Sequence, residues 1–285
     1  MDDDYSCIVG SACRLPGAVL RPEDLWTLFS EGVWKKCSTS PPASRAFTNF
    51  NASIPSQSDD IGIGGWLPEE GVEQFDPSFF GIPISEAATL RPNARLGLEL
   101  TYEALQNAGI PPSTLRGKNV SVYVGLGTED GWDMTRWLTD GPDAFDANWA
   151  ASSDPSGVSG RISHAFDFRG SCNTASNACA SGAIALSEGI AILHTAFRYP
   201  EHFRPTGTNS LRYGGAEVAI VGALATHFSP APFAWARSTG VASPSHRSSA
   251  FSPEADGYSP SVCFFFLAIS SFFLKKGRKE QSFLF

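Results

Sequence analysis

Apolar positions along the chain follow two different periods, which together predict alternating strands and helices. An apolar run at 5–12 and an alternating run at 119–125 predict strands. The continuous apolar run at 216–224 predicts a strand that is buried on both faces. Apolar residues at helical spacing, with proline or glycine near the ends, predict helices over 21–32, 91–109 and 180–193. This alternation predicts an α/β layered fold.

Other segments lack such a period. The stretch 36–64 is rich in Ser, Pro, Asn and Gly and is predicted to be a long surface loop, and 197–215 also shows no helical or strand period. The apolar run at 262–274 has 13 residues, fewer than the ~20 that a membrane-spanning helix needs. It is compatible with a buried strand, a frayed end, a membrane-surface anchor, or a truncated or mistranslated terminus.

Composition narrows the class of protein. The 285 residues are 42% hydrophobic and 18% charged, which predicts a sizeable core and excludes wholesale disorder. A formal charge of −8 disfavours a general nucleic-acid surface. The start, Met1 to Asp4, has neither the basic nor the apolar region of a signal peptide. We therefore expect a cytoplasmic protein with reduced thiols and no membrane span.

Cys179 is the candidate nucleophile. It stands among small residues, from Ala178 to Gly182, directly before the apolar pattern of the helix at 180–193. The positive end of a helix dipole favours the nucleophilic thiolate, and small neighbours allow an acyl chain to approach. The alternative is a structural cysteine buried in a close-packed turn. Three other cysteines are predicted to lie in strands and face the core: Cys7, Cys13 and Cys172. The six cysteines show no C-x-x-C pair and no zinc-type spacing.

Segments on both sides of Cys179 follow each other in a recognisable order. They are 8–17, 75–82 (Phe-Asp-Pro-Ser-Phe-Phe-Gly-Ile), 95–109, 159–163, the Cys179 stretch, 243–244 and 251–258. This ordered set resembles the N-terminal half of the β-ketoacyl synthase (ketosynthase) domain of polyketide synthases. Ser176-Asn177 replaces the usual Asp-Thr, Gly182 replaces a serine, and no glycine-rich turn follows Tyr258. The sequence around the cysteine, Asn-Ala-Cys-Ala-Ser-Gly, is slightly more similar to that of fatty-acid-type synthases.

The resemblance implies a thiolase-like layered α/β fold. It also implies that this chain is a truncated form that holds only the N-terminal half of that fold. We expect a synthase N-terminal domain over 1–258, with the loop at 36–64 and a possible insertion relative to the family at 197–215, and a divergent Phe-rich tail over 259–285. Because family members dimerise beside the active-site strand, a homodimer is also expected.

The resemblance also implies the chemistry. Cys179 would accept an acyl group, delivered as a phosphopantetheine thioester on an acyl carrier protein, and a malonyl thioester would then lose CO2 and condense with it. No other cofactor and no metal are implied. The family places two histidines and a lysine for this step in its second half. None of the histidines here stands in a matching context, so each is expected to be a surface or packing residue: His164, His194, His202, His227 and His246.

Two further hypotheses remain open. The chain could be a truncated, catalytically inactive synthase-like protein or scaffold, as the Phe-rich end and the irregular 197–215 segment suggest. It could also be another member of the thiolase superfamily, although the segments 75–82 and 254–258 favour the polyketide type.

Overall fold

A computed structural model describes residues 5–30, 63–67, 74–127, 157–198 and 218–272, together with residue 216 and a few isolated positions between 131 and 154. The predicted loop at 36–64 and the possible insertion at 197–215 lie almost wholly outside the described residues.

The described strands form one five-stranded mixed sheet in the order β1-β5-β4-β2-β3. They are β1 (Tyr5–Arg14), β2 (Val120–Leu126), β3 (Cys172–Ala175), β4 (Val218–Ala225) and β5 (Cys263–Phe272). The three strands β4, β2 and β3 are parallel, whereas β5 is antiparallel to both β4 and β1. The carboxyl ends of β2, β3 and β4 therefore meet at one edge of the sheet.

Helices cover both faces of this sheet. The described helices are α1 (Pro22–Ser30), α2 (Ile84–Ala87), α3 (Pro92–Asn107), α4 (Gly157–Phe166), α5 (Ser181–Arg198) and α6 (Ala231–Ser238). Alternate residues of β2 enter different cores, because successive side chains of a strand point to opposite faces. Val122 and Val124 join the cluster with α3 and α4, whereas Tyr123 joins the cluster with α5. The predicted α/β layered fold is confirmed.

The strands and helices that the apolar pattern predicted are present, with ends shifted by a few residues. Phe75 and Phe80 stack with ring centroids 5.4 Å apart and pack against the α3/α4 core, as expected of the aromatic segment. Three helices were not predicted: the short α2, α4 and α6. Gly157 and Gly160 weaken the helical signal of α4, and two prolines precede Phe233 in the segment of α6.

The apolar run near the end of the chain is a strand. β5 lies between β4 and β1, and Phe264 and Phe266 are fully buried in the α3/α4 core. Of the alternatives for 262–274, the buried strand is the one that the structure supports. The boundary at 258 stays a prediction, but β5 belongs to the same sheet as the residues before it.

Candidate active site

Cys179 lies at the edge of the sheet where the parallel strands end. It follows β3 by four residues and sits in a 3₁₀ turn, Ala178–Ala180, that leads directly into α5. Its side chain is exposed. In open α/β sheets, ligands bind outside the carboxyl ends of the strands, and Cys179 occupies such a position. The alternative of a buried structural cysteine does not fit this exposure.

Ser181, the first residue of α5, holds the turn together. Its Oγ accepts a hydrogen bond from the Asn177 backbone N–H at 2.7 Å and donates one to the Ala178 carbonyl at 2.7 Å. The side chain is buried, although serine is usually exposed. Ala178 between these partners has a φ of 50°, a left-handed conformation that non-glycine residues rarely adopt. The turn is therefore a tightly constrained bend that presents the next side chain, Cys179.

The turn also packs closely onto the strand beneath it. A Cβ at Gly125, near the end of β2, would lie 2.3 Å from the Ser181 carbonyl oxygen. A Cβ at Gly182 would lie 2.9 Å from the Cβ of Ala223 in β4. Glycine at both places lets the start of α5 lie directly on the sheet. These contacts fix where Cys179 stands relative to the ends of β2 and β4.

Side chains of the two flanking helices, α4 and α5, form hydrogen bonds with side chains of β3. The hydroxyls of Ser159 in α4 and Thr174 are 2.8 Å apart, and Asn173 Nδ2 donates to Glu188 of α5 at 3.0 Å. A four-residue edge strand has few ladder bonds of its own, so these contacts help hold the strand that leads to Cys179.

Tyr258 lies within electrostatic range of Cys179. Two effects raise the pKa of the Tyr258 hydroxyl. Burial is the larger, and the negative charge of a Cys179 thiolate is the smaller. Backbone hydrogen bonds hold the residue in place: its N–H donates to Val241, and its carbonyl accepts from Ser243. Tyr258 belongs to the segment 251–258 that resembles the family, and its sequence pattern alone predicted no role for it. Folding brings Tyr258 within electrostatic range of Cys179 from a distant part of the chain, and no local pattern reveals this.

The histidines are spread over the fold. His164 is exposed in the last turn of α4, and His246 is half-buried in the segment after α6. His227 is half-buried, with its ring centroid 5.4 Å from that of Phe233. His202 and the side chain of His194 lie outside the described residues. Among the described residues, no group of three His, Cys, Asp or Glu side chains could hold a metal ion.

The predictions for the other cysteines need correction. Cys13 is fully buried, as predicted, and burial raises the pKa of its thiol to about 11. Cys172 and Cys7 were predicted to face the core, but both are exposed. Each lies on an edge strand, β3 or β1, where neighbouring elements leave part of the surface uncovered.

No described helix is both long and apolar enough to cross a membrane.

Comparisons with known proteins agree with this arrangement. A family model described as Beta-ketoacyl synthase, N-terminal domain, matches residues 7–196 and 206–262. Pikromycin polyketide synthase component PikAII of Streptomyces venezuelae is 35% identical over 260 residues, which are 88% of this chain and 6% of that protein. Fumosorinone synthetase of Cordyceps fumosorosea is 34% identical over 255 residues, again 88% of this chain and 6% of that protein.

A solved structure shares the fold. The ketosynthase from module 6 of the bacillaene synthase of Bacillus subtilis superposes with a TM-score of 0.69 at 22% sequence identity. The match covers 94% of this chain and 39% of that one. The chain thus spans well under half of a solved ketosynthase and a small part of the curated relatives.

Proposed function

This chain belongs to the β-ketoacyl synthase N-terminal domain family, and on that premise we propose that Cys179 accepts an acyl group in polyketide biosynthesis. The donor is a thioester on the phosphopantetheine arm of an acyl carrier protein. The Cys179 thiolate attacks the thioester carbonyl, the carbon–sulfur bond to the carrier breaks, and the carrier leaves as a thiol. The product is an acyl thioester on Cys179.

One observation carries this proposal: Cys179 is exposed on a constrained turn at the start of α5, at the carboxyl edge of the parallel strands. The early backbone N–H groups of a helix have no partner within it, so the Cys179 N–H is suited to stabilise the developing oxyanion.

Condensation requires more than the nucleophile. The family resemblance assigns the donors that stabilise the enolate to two histidines and a lysine in the other half of the domain. We therefore propose that the described residues support acyl transfer, and that decarboxylative condensation with a malonyl thioester proceeds only together with such groups. The alternative is a synthase-like protein that takes no acyl group. We also propose a cytoplasmic setting and a homodimer formed beside the edge strand β3.

The test is acylation followed by intact-mass measurement. The chain is incubated with a hexanoyl thioester of N-acetylcysteamine, a short mimic of the phosphopantetheine arm. We expect one hexanoyl adduct on the unmodified chain and none on Cys179→Ala. Cys172→Ala is the matched control, because it removes another exposed cysteine seven residues away and leaves the site intact.

The proposal fails if no adduct forms, or if Cys179→Ala is acylated as fast as the unmodified chain. An adduct on Cys172 instead would indicate that exposure alone, without the turn and the helix, decides which thiol reacts.

A further inference from the structure

A cavity of about 600 Å³ opens far from Cys179. Its lining comes from the aromatic segment before α2, from α3 and α4, and from the 3₁₀ turn Pro112–Leu115 with the residue after it. Arg116 comes shortly before β2, and Phe166 shortly before β3, so these residues approach the amino ends of the parallel strands. Cys179 lies beyond the opposite, carboxyl end of β3. The cavity is therefore separate from the candidate acyl site.

The cavity has a cationic side. Arg116, Arg161 and His164 line it, and among the described lining residues Glu86, which pairs with Arg161, supplies the only carboxylate. Arg116 and His164 are exposed. Two guanidinium groups and an imidazole against one carboxylate leave an excess of hydrogen-bond donors and positive charge. This excess stands out on a chain whose formal charge is −8.

The other side of the cavity is aromatic. Phe79 meets Phe80 and Tyr102 edge to face, at centroid distances of 5.0 and 4.9 Å. Phe80 in turn meets Phe166 at 6.1 Å. Although phenylalanine is usually buried, the Phe79 side chain is 56% exposed. The wall offers flat apolar surface against which another ring can pack.

We infer that this cavity binds a small anion whose charged group is attached to a flat apolar body, the chemistry of aryl phosphates and aryl carboxylates. The anion lies against Arg116, with Arg161 and His164 beside it, and the ring lies against Phe79 and Tyr102. The volume falls within the range of small-molecule sites, about 300–1,000 Å³. Neither the match to the family nor the proposed acyl transfer requires this site.

The test measures binding by titrating each probe into the 15N-labelled chain and following its amide chemical shifts by NMR. Phenyl phosphate and benzoate carry both the ring and the charge, inorganic phosphate carries the charge alone, and benzyl alcohol carries the ring without it. We expect phenyl phosphate or benzoate to bind at least about fivefold more tightly than either partial probe, because charge-assisted hydrogen bonds and ring contacts act together. Whichever of phenyl phosphate and benzoate binds more tightly shows whether the site prefers a phosphate or a carboxylate.

Variants locate the binding. Arg116→Gln removes a charge at an exposed position, and we expect it to weaken binding about fivefold or more. Arg247→Gln, an exposed arginine outside the cavity lining, is the matched control and leaves binding unchanged. If Arg116→Gln does not fold, His164→Gln serves the same purpose. Cys179→Ala is expected to bind normally, which separates this site from the acyl site.

The inference is overturned if neither phenyl phosphate nor benzoate binds, or if Arg116→Gln and Arg247→Gln bind them with the same affinity. It is also overturned if inorganic phosphate or benzyl alcohol binds as tightly as phenyl phosphate and benzoate do. Loss of binding in Cys179→Ala would also overturn it, since the ligand would then occupy the acyl site.

Discussion

Single residues in this chain take their chemistry from their surroundings. Cys13 and Cys179 have the same side chain, but Cys13 is fully buried in β1, and burial raises the pKa of its thiol to about 11. A thiol that stays protonated and inaccessible is inert at neutral pH. Cys179 is exposed at the start of a helix. The same residue type therefore serves packing in one place and is available for reaction in the other.

Glu99 on α3 gives a pH prediction at this scale. Burial raises the pKa of its carboxyl from the usual 4.5 to about 7; Arg14 opposes the shift, Glu103 adds to it, and Arg95 opposes it. A raised pKa means that the folded state prefers the protonated form. This contribution to stability is complete below pH 4.5 and is lost as the pH rises through about 7.

Glu99→Gln keeps the shape of the side chain and removes the ionisation. We compare the free energy of unfolding of this variant with that of the unmodified chain at each pH. As the pH rises from 5 to 8, we expect the difference to shift by about 1–2 kcal/mol in favour of the variant. Urea titrations at several pH values measure the difference. Glu23→Gln, at an exposed position of α1, is the control and should show no such trend. A constant difference between Glu99→Gln and the unmodified chain at all pH values would contradict the prediction.

At the scale of elements, the active-site turn depends on how closely α5 approaches β2. Gly125→Ala would place a Cβ 2.3 Å from the Ser181 carbonyl oxygen, and a backbone atom cannot move aside as a flexible side chain can. We expect a loss of about 2–3 kcal/mol in the free energy of unfolding. We also expect acylation of Cys179 to slow at least about tenfold, because the turn must shift. Urea unfolding and intact-mass time courses measure the two effects.

Gly160→Ala is the matched control for that substitution. Gly160 lies inside α4, and no atom lies within 4 Å of where its Cβ would be. Alanine there should stabilise the chain by about 0.5–1 kcal/mol and leave acylation unchanged. If both glycine variants lost stability to the same extent, close approach of α5 to β2 would not explain the effect at Gly125.

The elements also show what the sequence could predict. Strand β2 and helix α3 were predicted correctly, because the apolar residues alternate in β2 and recur at helical spacing in α3. Helix α4 was missed, since its two glycines are poor helix formers and its burial against α3 and the sheet depends on distant residues. The exposure of Cys172 was missed for a similar reason. A strand's position at the edge of a sheet is a property of the pairing order, and a single strand's sequence does not contain it.

For the candidate site, the sequence located Cys179 through its small neighbours and through the ordered landmarks around it. The same pattern did not reveal that Ser181 closes the turn or that Tyr258 lies nearby. Ser181 carried a local signal, because serine at the start of a helix often caps it. Tyr258 is separated from Cys179 by β4 and α6 along the chain, and only the folded arrangement brings them together.

At the scale of the whole molecule, the two ends of the parallel strands carry different features. The acyl-accepting candidate lies at the carboxyl edge, and the cationic, aromatic cavity lies toward the amino ends. Both depend on one continuous sheet, in which β5 joins β1 to the parallel strands. The Phe-rich segment near the end of the chain is thus part of the framework that positions the site.

Phe266 of β5 tests this role. Its side chain is fully buried, it is opposite Gly222 of β4, and its ring fills the space where a Gly222 side chain would be, 2.6 Å from the ideal Cβ position. The ring also reaches within 3.5 Å of the Cβ position of Gly97 on α3. Phe266→Ala would leave a cavity between the sheet and α3, and we expect a loss of about 3–5 kcal/mol in the free energy of unfolding.

Phe251→Ala removes the same group from a fully exposed position and should change that free energy by less than about 0.5 kcal/mol. Urea unfolding of the two variants measures the contrast, and intact-mass acylation at low urea shows whether Cys179 loses reactivity when β5 is weakened. If Phe266→Ala cost no more than Phe251→Ala, residues 263–272 would be a dispensable tail, and the sheet that positions Cys179 would end at β4.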